Sequence, residues 1–284
     1  MKRNLIGIVG ILIGCSATRQ EKIENNSLLT DTVAPQTTAQ IDAAPITNCP
    51  SDMVEVKGNY CPVVEEVCLQ WVDSHGQPFT HGEGVNERCG EWKYPTKCLS
   101  FNRVSMHYCI DRYEYPNVAG QRPQSWMTWY DAKKTLEFEG KRLCTQSEWT
   151  FACEGNGGSP QPYPYGNGYV RDRTACNFDL HVSGVDVFKS KRPGDATSQI
   201  LDSLLVPSGS MPRCVSPFGV YDMVGNLDEW VVNQSGGPFS SGLMSGHVWG
   251  VRNRCRAQTT AHGPTFGWYE TSTRGCQDVD VKSQ

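Results

Sequence analysis

No run of the ~20 apolar residues that a membrane-spanning helix needs occurs in this 284-residue chain. Neither sign of charge dominates, with 26 Lys and Arg against 30 Asp and Glu. Nothing in that balance points to a nucleic-acid groove. The thirteen cysteines include no CxxC pair, so the spacing that usually announces a zinc site is missing. A nucleophile elbow, a phosphate-binding glycine loop and an HExxH helix are missing too. These absences remove the commonest hydrolase, nucleotide-binding and zinc-protease readings.

What is present begins with a basic head, Lys2 and Arg3, and a short apolar run from Leu5 to Gly14. The run is too short to span but fits the hydrophobic part of a signal peptide. It ends in LIGC, with small residues before Cys15, and is similar to the lipobox of bacterial lipoproteins. Residues 1–15 therefore read as a lipoprotein signal peptide with Cys15 as the lipidated residue. That implies a lipid anchor in a membrane of the bacterial cell envelope. Ser16 rather than Asp follows the cysteine, which favours the outer membrane, on its periplasmic or surface face. Residues 16–48 are polar and aperiodic. They cannot bury enough surface to offset their ordering entropy and read as a disordered tether.

With Cys15 set aside, an even number of cysteines remains, as export to an oxidising compartment predicts. Six disulfides are expected. The cysteines Cys49, Cys61, Cys68, Cys89, Cys98 and Cys109 are crowded together, and their pairing is left open. Residues 49–105 read as a cysteine-rich extension and 106–284 as the main domain. With 28 Gly and 17 Pro, the domain should be rich in loops.

The stretch MHYCIDRYEYPN, from Met106, alternates and reads as a strand. A helix is predicted from Trp129 to Glu139, with Trp129, Ala132 and Leu136 on one face and Gly140 placed to stop it. A second helix should start at Thr145, with Glu148 completing a capping box, Trp149 and Ala152 facing the core, and Gly155 ending it. From Asn167 to Arg213 no period is visible. WGVRNRCRAQT, Trp249 to Thr259, alternates and reads as a core strand.

The stretch GVYDMVGNLDEWV, Gly219 to Val231, gathers Asp222, Asn226, Asp228 and Glu229 around Gly225. By itself it fits a glycine-centred turn with surface acids. In order with other motifs it carries a resemblance. GKRLCTQSEWTFACEG (Gly140–Gly155) resembles GKRLPTEAEWEYAxRGG of the formylglycine-generating enzyme family, also called sulfatase-modifying factors. YPYG (Tyr163–Gly166) resembles its YPWG, ACNF (Ala175–Phe178) its AN step, and FGVYDMVGNLDEWV its GLYDMxGNVWEW. VRNRCRAQT (Val251–Thr259) resembles RxRCAxR, and STRGC (Ser272–Cys276) resembles GFRCC. By these motifs the cysteine-rich part, Cys49 to Cys109, lies outside the family core.

The resemblance implies an α+β fold of the C-type-lectin-like kind, with little regular secondary structure. It also implies structural calcium, an ion that takes six to eight oxygens. By position, the side chains of Asp222 and Glu229 and the carbonyls of Met223, Gly225 and Leu227 would hold it. Asn177 and Phe178 would belong to a second site. The family bridges Cys153 to Cys255. Its other bridge falls at Leu136 and Gly275, which leaves Cys144 to pair with Cys276 and Cys176 with Cys214.

Family enzymes oxidise a sulfatase cysteine to formylglycine with copper and oxygen. Copper(I) prefers thiolates, and the two ligand positions fall at Ser245 and Gly250. No cysteine lies between Cys214 and Cys255, so copper is not expected and no catalytic residue is assigned. Other branches bind non-haem iron through histidines. Of His75, His81, His107, His181, His247 and His262, the pair His247 and His262 flanks the expected core strand, within reach of the ancestral pocket. The expectation is a non-catalytic lipoprotein that binds a peptide, glycan or partner protein in a groove near His247, Trp249 and His262, with Trp126, Trp129 and Trp230 as further walls. The alternative is a formylglycine-generating-type oxidoreductase, or an iron oxygenase, working through an altered site.

Overall fold

The two expected helices form where their caps place them. The computed structural model describes residues 48–73, 75–78, 88–156, 158–180, 183–246, 248–249 and 252–279. The expected signal peptide with Cys15, nearly all of the tether, and His81, His181, His247 and Gly250 lie outside the described residues. Helix α1 (Trp129–Phe138) is capped by Thr128, whose side chain accepts from Asp131 N–H in a capping box, and it buries Ala132 and Leu136. Gly140 follows its end in the left-handed region, φ +74°, which glycine adopts without steric penalty. Helix α2 (Gln146–Glu154) has the predicted Thr145–Glu148 capping box and ends at Gly155. Every residue from Trp149 to Glu154 is buried, so α2 is wrapped on all sides.

The described residues form twelve short strands around these helices: β1 (Met53–Tyr60), β2 (Val64–Glu65), β3 (Cys68–Trp71), β4 (Cys89–Trp92), β5 (Lys97–Cys98), β6 (Val104–Asp111), β7 (Arg142–Leu143), β8 (Asp228–Val232), β9 (Ser241–Met244), β10 (Gln258–Thr259), β11 (Thr271–Thr273) and β12 (Gly275–Asp278). One sheet has the order β1-β6-β12-β7 and the other β10-β9-β8-β11, with β2–β5 and β3–β4 as separate ribbons. The largest core cluster packs Trp149, Phe151 and Ala152 of α2 against Val56, Tyr108 and Ile110 of the first sheet. A second cluster gathers Ala132 and Leu136 of α1 with Trp230 and Leu243.

The boundary expected between residues 105 and 106 does not separate two bodies. It falls inside β6, which pairs along its whole length with β1, and residues 46–284 form one compact unit. The extension supplies an edge strand of the main sheet, with alternating residues buried on the same core. Bridges Cys49–Cys109, Cys61–Cys98 and Cys68–Cys89 settle the pairing left open. The other three are Cys144–Cys276, Cys153–Cys255 and Cys176–Cys214, as the resemblance implied.

The core strand expected over Trp249–Thr259 is absent among the described residues, where only β10 is extended. Arg252, Arg254 and Arg256 reach Asp228, Glu66 and Glu154 instead. Their alternation reflects three separate ion pairs, and turn bonds such as Ala257 N–H to Arg254 O hold the backbone. The segment read as irregular contains a third helix, α3 (Ala196–Asp202), capped by Asp195.

Candidate functional site

The Gly219–Val231 stretch is a tight loop leading into β8. Asp222 and Asn226 hold positive φ, at 56° and 62°, and Gly225 lies at 86°. A Cβ on Gly225 would fall 2.5 Å from the carbonyl oxygen of Asn177, so only glycine fits. N–H groups of the loop point into acceptors from elsewhere in the chain. Gly225 N–H donates to Asn253 Oδ1 at 2.8 Å, Leu227 N–H to Glu114 Oε1 at 3.1 Å, and Asn226 N–H to the Asn177 carbonyl at 2.9 Å. The Asn226 amide donates to Glu114 Oε2 and its oxygen accepts from Asn177.

Part of the donor set implied for calcium is engaged within the chain. Glu229 is fully buried against Arg274, which donates to Oε2 and Oε1 at 2.6 Å each. Trp149 Nε1–H adds a third bond to Oε2 at 2.7 Å. Asp222 Oδ2 accepts Gly209 N–H at 2.7 Å, and burial pushes the Asp222 carboxyl up to about 6. Burial, reinforced by the charges of Asp222 and Glu229, holds Glu114 well above the carboxylate range. Asn177 uses its carbonyl and its amide on Asn226, and the Phe178 ring packs against Tyr165 and the Arg171 guanidinium. Met223 and Leu227 are buried core residues. A Cβ on Gly246 would meet the Leu227 carbonyl oxygen, so that oxygen is packed against the chain.

Ser245, at one of the two copper-ligand positions, follows β9 and is buried. Across the strand pair it lies beside Asp228, because Met244 is in register with Glu229. Asp228 stands where the family motif has tryptophan. Its Oδ2 accepts from Arg252 at 3.0 Å. Among the described residues, Asp228 Oδ1 and Ser245 Oγ have no hydrogen-bond partner. Burial pushes Asp228 up to about 6 and Glu270 up to about 8, Glu270 also by the charge of Asp228. Trp249 Nε1–H donates to Tyr269 OH at 2.7 Å, beside Glu270. This is a hard, oxygen-lined environment, unsuited to copper(I). All twelve described cysteines are in disulfides. His107 is bound to Glu55 at 2.6 Å across β1 and β6. Among the described residues no three His, Cys, Asp or Glu side chains are grouped to hold a metal.

A strip of rings runs from Trp249 to His262. Ring centroids are 4.0 Å apart for His262 and Phe266, 6.0 Å for Phe266 and Trp268, and 4.8 Å for Trp268 and Tyr269. Phe188, 69% exposed, extends the strip at 5.9 Å from Trp268. Trp126 N–H donates to the Trp268 carbonyl at 3.0 Å, and Trp126 opens onto a cleft of about 540 Å³ lined also by Arg122, Pro123, Asp202 and Leu205. Trp126 is held at φ +67°, a conformation that costs about 1–3 kcal/mol and gathers at functional sites.

Of the expected groove residues, Trp249 and His262 are in this strip, and Trp126 borders it. Trp230 is not a wall: it is fully buried, with Nε1–H bonded to the Met127 carbonyl. Trp129 donates to the Val231 carbonyl and lines a separate cleft with Lys133 and Val232. Phe188, Phe266, Trp268 and Tyr269 were missed by sequence reasoning. The cluster FGWYE, Phe266 to Glu270, was the available signal.

Residues 40–265 match the sulfatase-modifying factor enzyme 1-like domain, most of the chain, and the chain belongs to that family. The match takes in the cysteine-rich segment, which the motif comparison had placed outside the family core. The inactive C-alpha-formylglycine-generating enzyme 2 of Bos taurus is 32% identical over 113 residues, 39% of this chain and 33% of that protein. The formylglycine-generating enzyme of Thermomonospora curvata is 32% identical over 114 residues, 38% of this chain and 32% of that protein. The matched stretches thus span about a third of these relatives' length. Among solved structures, CarF is similar, with a TM-score of 0.47 and 14% identity over 81% of this chain and 99% of that one.

Proposed function

We propose that this chain is a non-catalytic member of the family, anchored in the cell envelope through a lipidated Cys15, that binds a ligand along the aromatic strip. The observation that carries the reading is the exchange at the copper position. A buried serine beside Asp228 stands where a thiolate is needed, and every described cysteine is committed to a disulfide. Half-exposed rings beside a cleft suit flat apolar faces with polar rims, as offered by a peptide, a glycan or the edge of a partner protein. The anchor rests on the basic head, the apolar run and LIGC.

Incubation of the purified domain with copper, oxygen and a cysteine peptide of the sulfatase type should yield no aldehyde, while peptide and glycan libraries should yield ligands that Trp268→Ala abolishes. Aldehyde formation would establish the oxidoreductase alternative. Cys15→Ser should release the protein from membranes, and continued membrane fractionation would refute the anchor.

A further inference from the structure

We infer that the outer end of the β2–β5 ribbon is a membrane-contact patch, which seats apolar side chains in the surface of an anionic lipid bilayer. Each strand of the ribbon is two residues long, and a two-stranded ribbon alone is marginally stable at best. The Cys61–Cys98 bridge ties it together, so it needs no apolar core of its own. It carries apolar side chains nonetheless, on the side facing water. Leu99 N–H donates to the Val63 carbonyl at 2.8 Å, which continues the Val64–Cys98 and Glu65–Lys97 register by one step. Alternation then puts Val63 and Leu99 on the same face as the exposed Glu65–Lys97 ion pair. Val63 is 55% exposed, Leu99 59% and Phe101 completely. Val63 N–H also donates to Ser100 Oγ at 2.9 Å, so the two segments are joined at this end. Apolar residues scattered singly on a surface need no explanation, but grouped ones mark an interaction site.

The charge around the patch selects the partner. From Trp92 to Ile110 the chain has Lys93, Lys97 and Arg103 and no Asp or Glu. Lys93 and Lys97 are exposed, and Arg103 is positioned by the Asn59 and Gly158 carbonyls at 3.4 and 3.3 Å. Glu65 offsets one of these charges, through Lys97. A protruding phenylalanine and leucine among cations suit the headgroup boundary of a bilayer, where apolar side chains insert and basic ones meet anionic lipid. Placement favours the same partner. The chain enters the fold at Cys49, bridged to Cys109, which is in register with Glu55. Val104, just beyond Phe101, is in register with Tyr60, about 17 Å further along β1. A flexible polar chain as long as residues 16–48 has an r.m.s. span of about 30 Å, enough for a lipid on Cys15 and this patch to meet one bilayer. That placement rests on the proposed anchor, whereas the apolar and basic character of the patch does not.

The test is co-sedimentation of the disulfide-intact, unlipidated chain from Ser16 onward with phosphatidylcholine vesicles, with and without phosphatidylglycerol. The wild type should partition onto the anionic vesicles and come off as salt rises, because exposed charges are screened. Leu99→Ser with Phe101→Ser should cut the partition coefficient about tenfold or more, the loss expected for two inserted apolar side chains, at unchanged Tm. Lys93→Gln with Lys97→Gln should weaken binding to the anionic vesicles and reduce its salt dependence. Phe138→Ser, likewise exposed but on α1, should change nothing. Patch binding is released by salt and lipid anchoring is not, so a high-salt wash of membranes keeps this inference apart from the Cys15 anchor. A wild type that ignores anionic vesicles overturns the inference, and so does equal binding by the Leu99 and Phe101 variant. A wild type that self-associates through Phe101 instead of binding vesicles also overturns it and makes the patch a protein contact.

Discussion

Asp228 and Glu229 are adjacent buried carboxylates on β8, and the chain treats them in opposite ways. Glu229 accepts three charge-assisted bonds from Arg274 and Trp149. Asp228 has one guanidinium on Oδ2, and its Oδ1 has no partner among the described residues. Glu229 faces the interior of the fold, whereas Asp228 faces the region of Ser245, Glu270 and the aromatic strip. A saturated buried charge is structural. An under-satisfied one beside the ring strip and a strained tryptophan lies in the region to which the proposed function assigns recognition.

Four experiments sharpen or break that contrast. Glu229→Ala strands the Arg274 charge in the interior and should cost about 3–5 kcal/mol, a fall in Tm of roughly 10 °C or more. Asp228→Asn should cost less than half as much, because the ion pair it weakens is with a partly exposed Arg252. Equal losses would erase the distinction. Removing Cys153–Cys255, which ties α2 to the arginine-rich turn across a sequence separation of 102, should cost about 2–5 kcal/mol by denaturant unfolding.

The third concerns pH. Glu270 is held up to about 8, first by burial and then by Asp228, so the folded state keeps a proton that the unfolded chain releases near the ordinary carboxylate value. Stability carried by that proton is complete at acidic pH and is lost as pH rises toward and through about 8. Glu270→Gln should flatten this fall in urea midpoints measured across the same range, and an unchanged slope would reject the assignment. The smallest stability effect is expected from Phe188→Ala, within about 0.5 kcal/mol for a surface change. It should nonetheless weaken any ligand found by library screening by about tenfold, as loss of an interface ring does. Phe138→Ala, exposed but distant from the strip in sequence and outside its ring contacts, serves as the control.

Local signals carried well from sequence to structure. Gly140, Thr145, Glu148 and Gly155 act at the helix ends, because caps depend on neighbours within four residues. The resemblance anticipated three bridges, and the residues themselves the tight turn at Gly225. Long-range pairing was not legible. The partners of Arg252, Arg254 and Arg256 come from three distant segments, so an alternating pattern of charges imitated a strand. The union of β1 with β6, and of Arg274 with Glu229, depends on strand order that no local period encodes. The FGWYE cluster of the aromatic strip was legible in the sequence, whereas the joining of Phe188 and His262 to it depends on the fold.

The central claim is that the thiolate pair needed for copper has been replaced by disulfides and hard oxygens. Its most direct measurement is a copper(I) competition titration of the purified, non-reduced mature protein against a colorimetric chelator, with a thiol count on the same sample after denaturation. The account predicts no free thiol other than any unlipidated Cys15 and no stoichiometric withdrawal of copper from the chelator. Two titratable thiols, or one tightly held copper per chain, would contradict it.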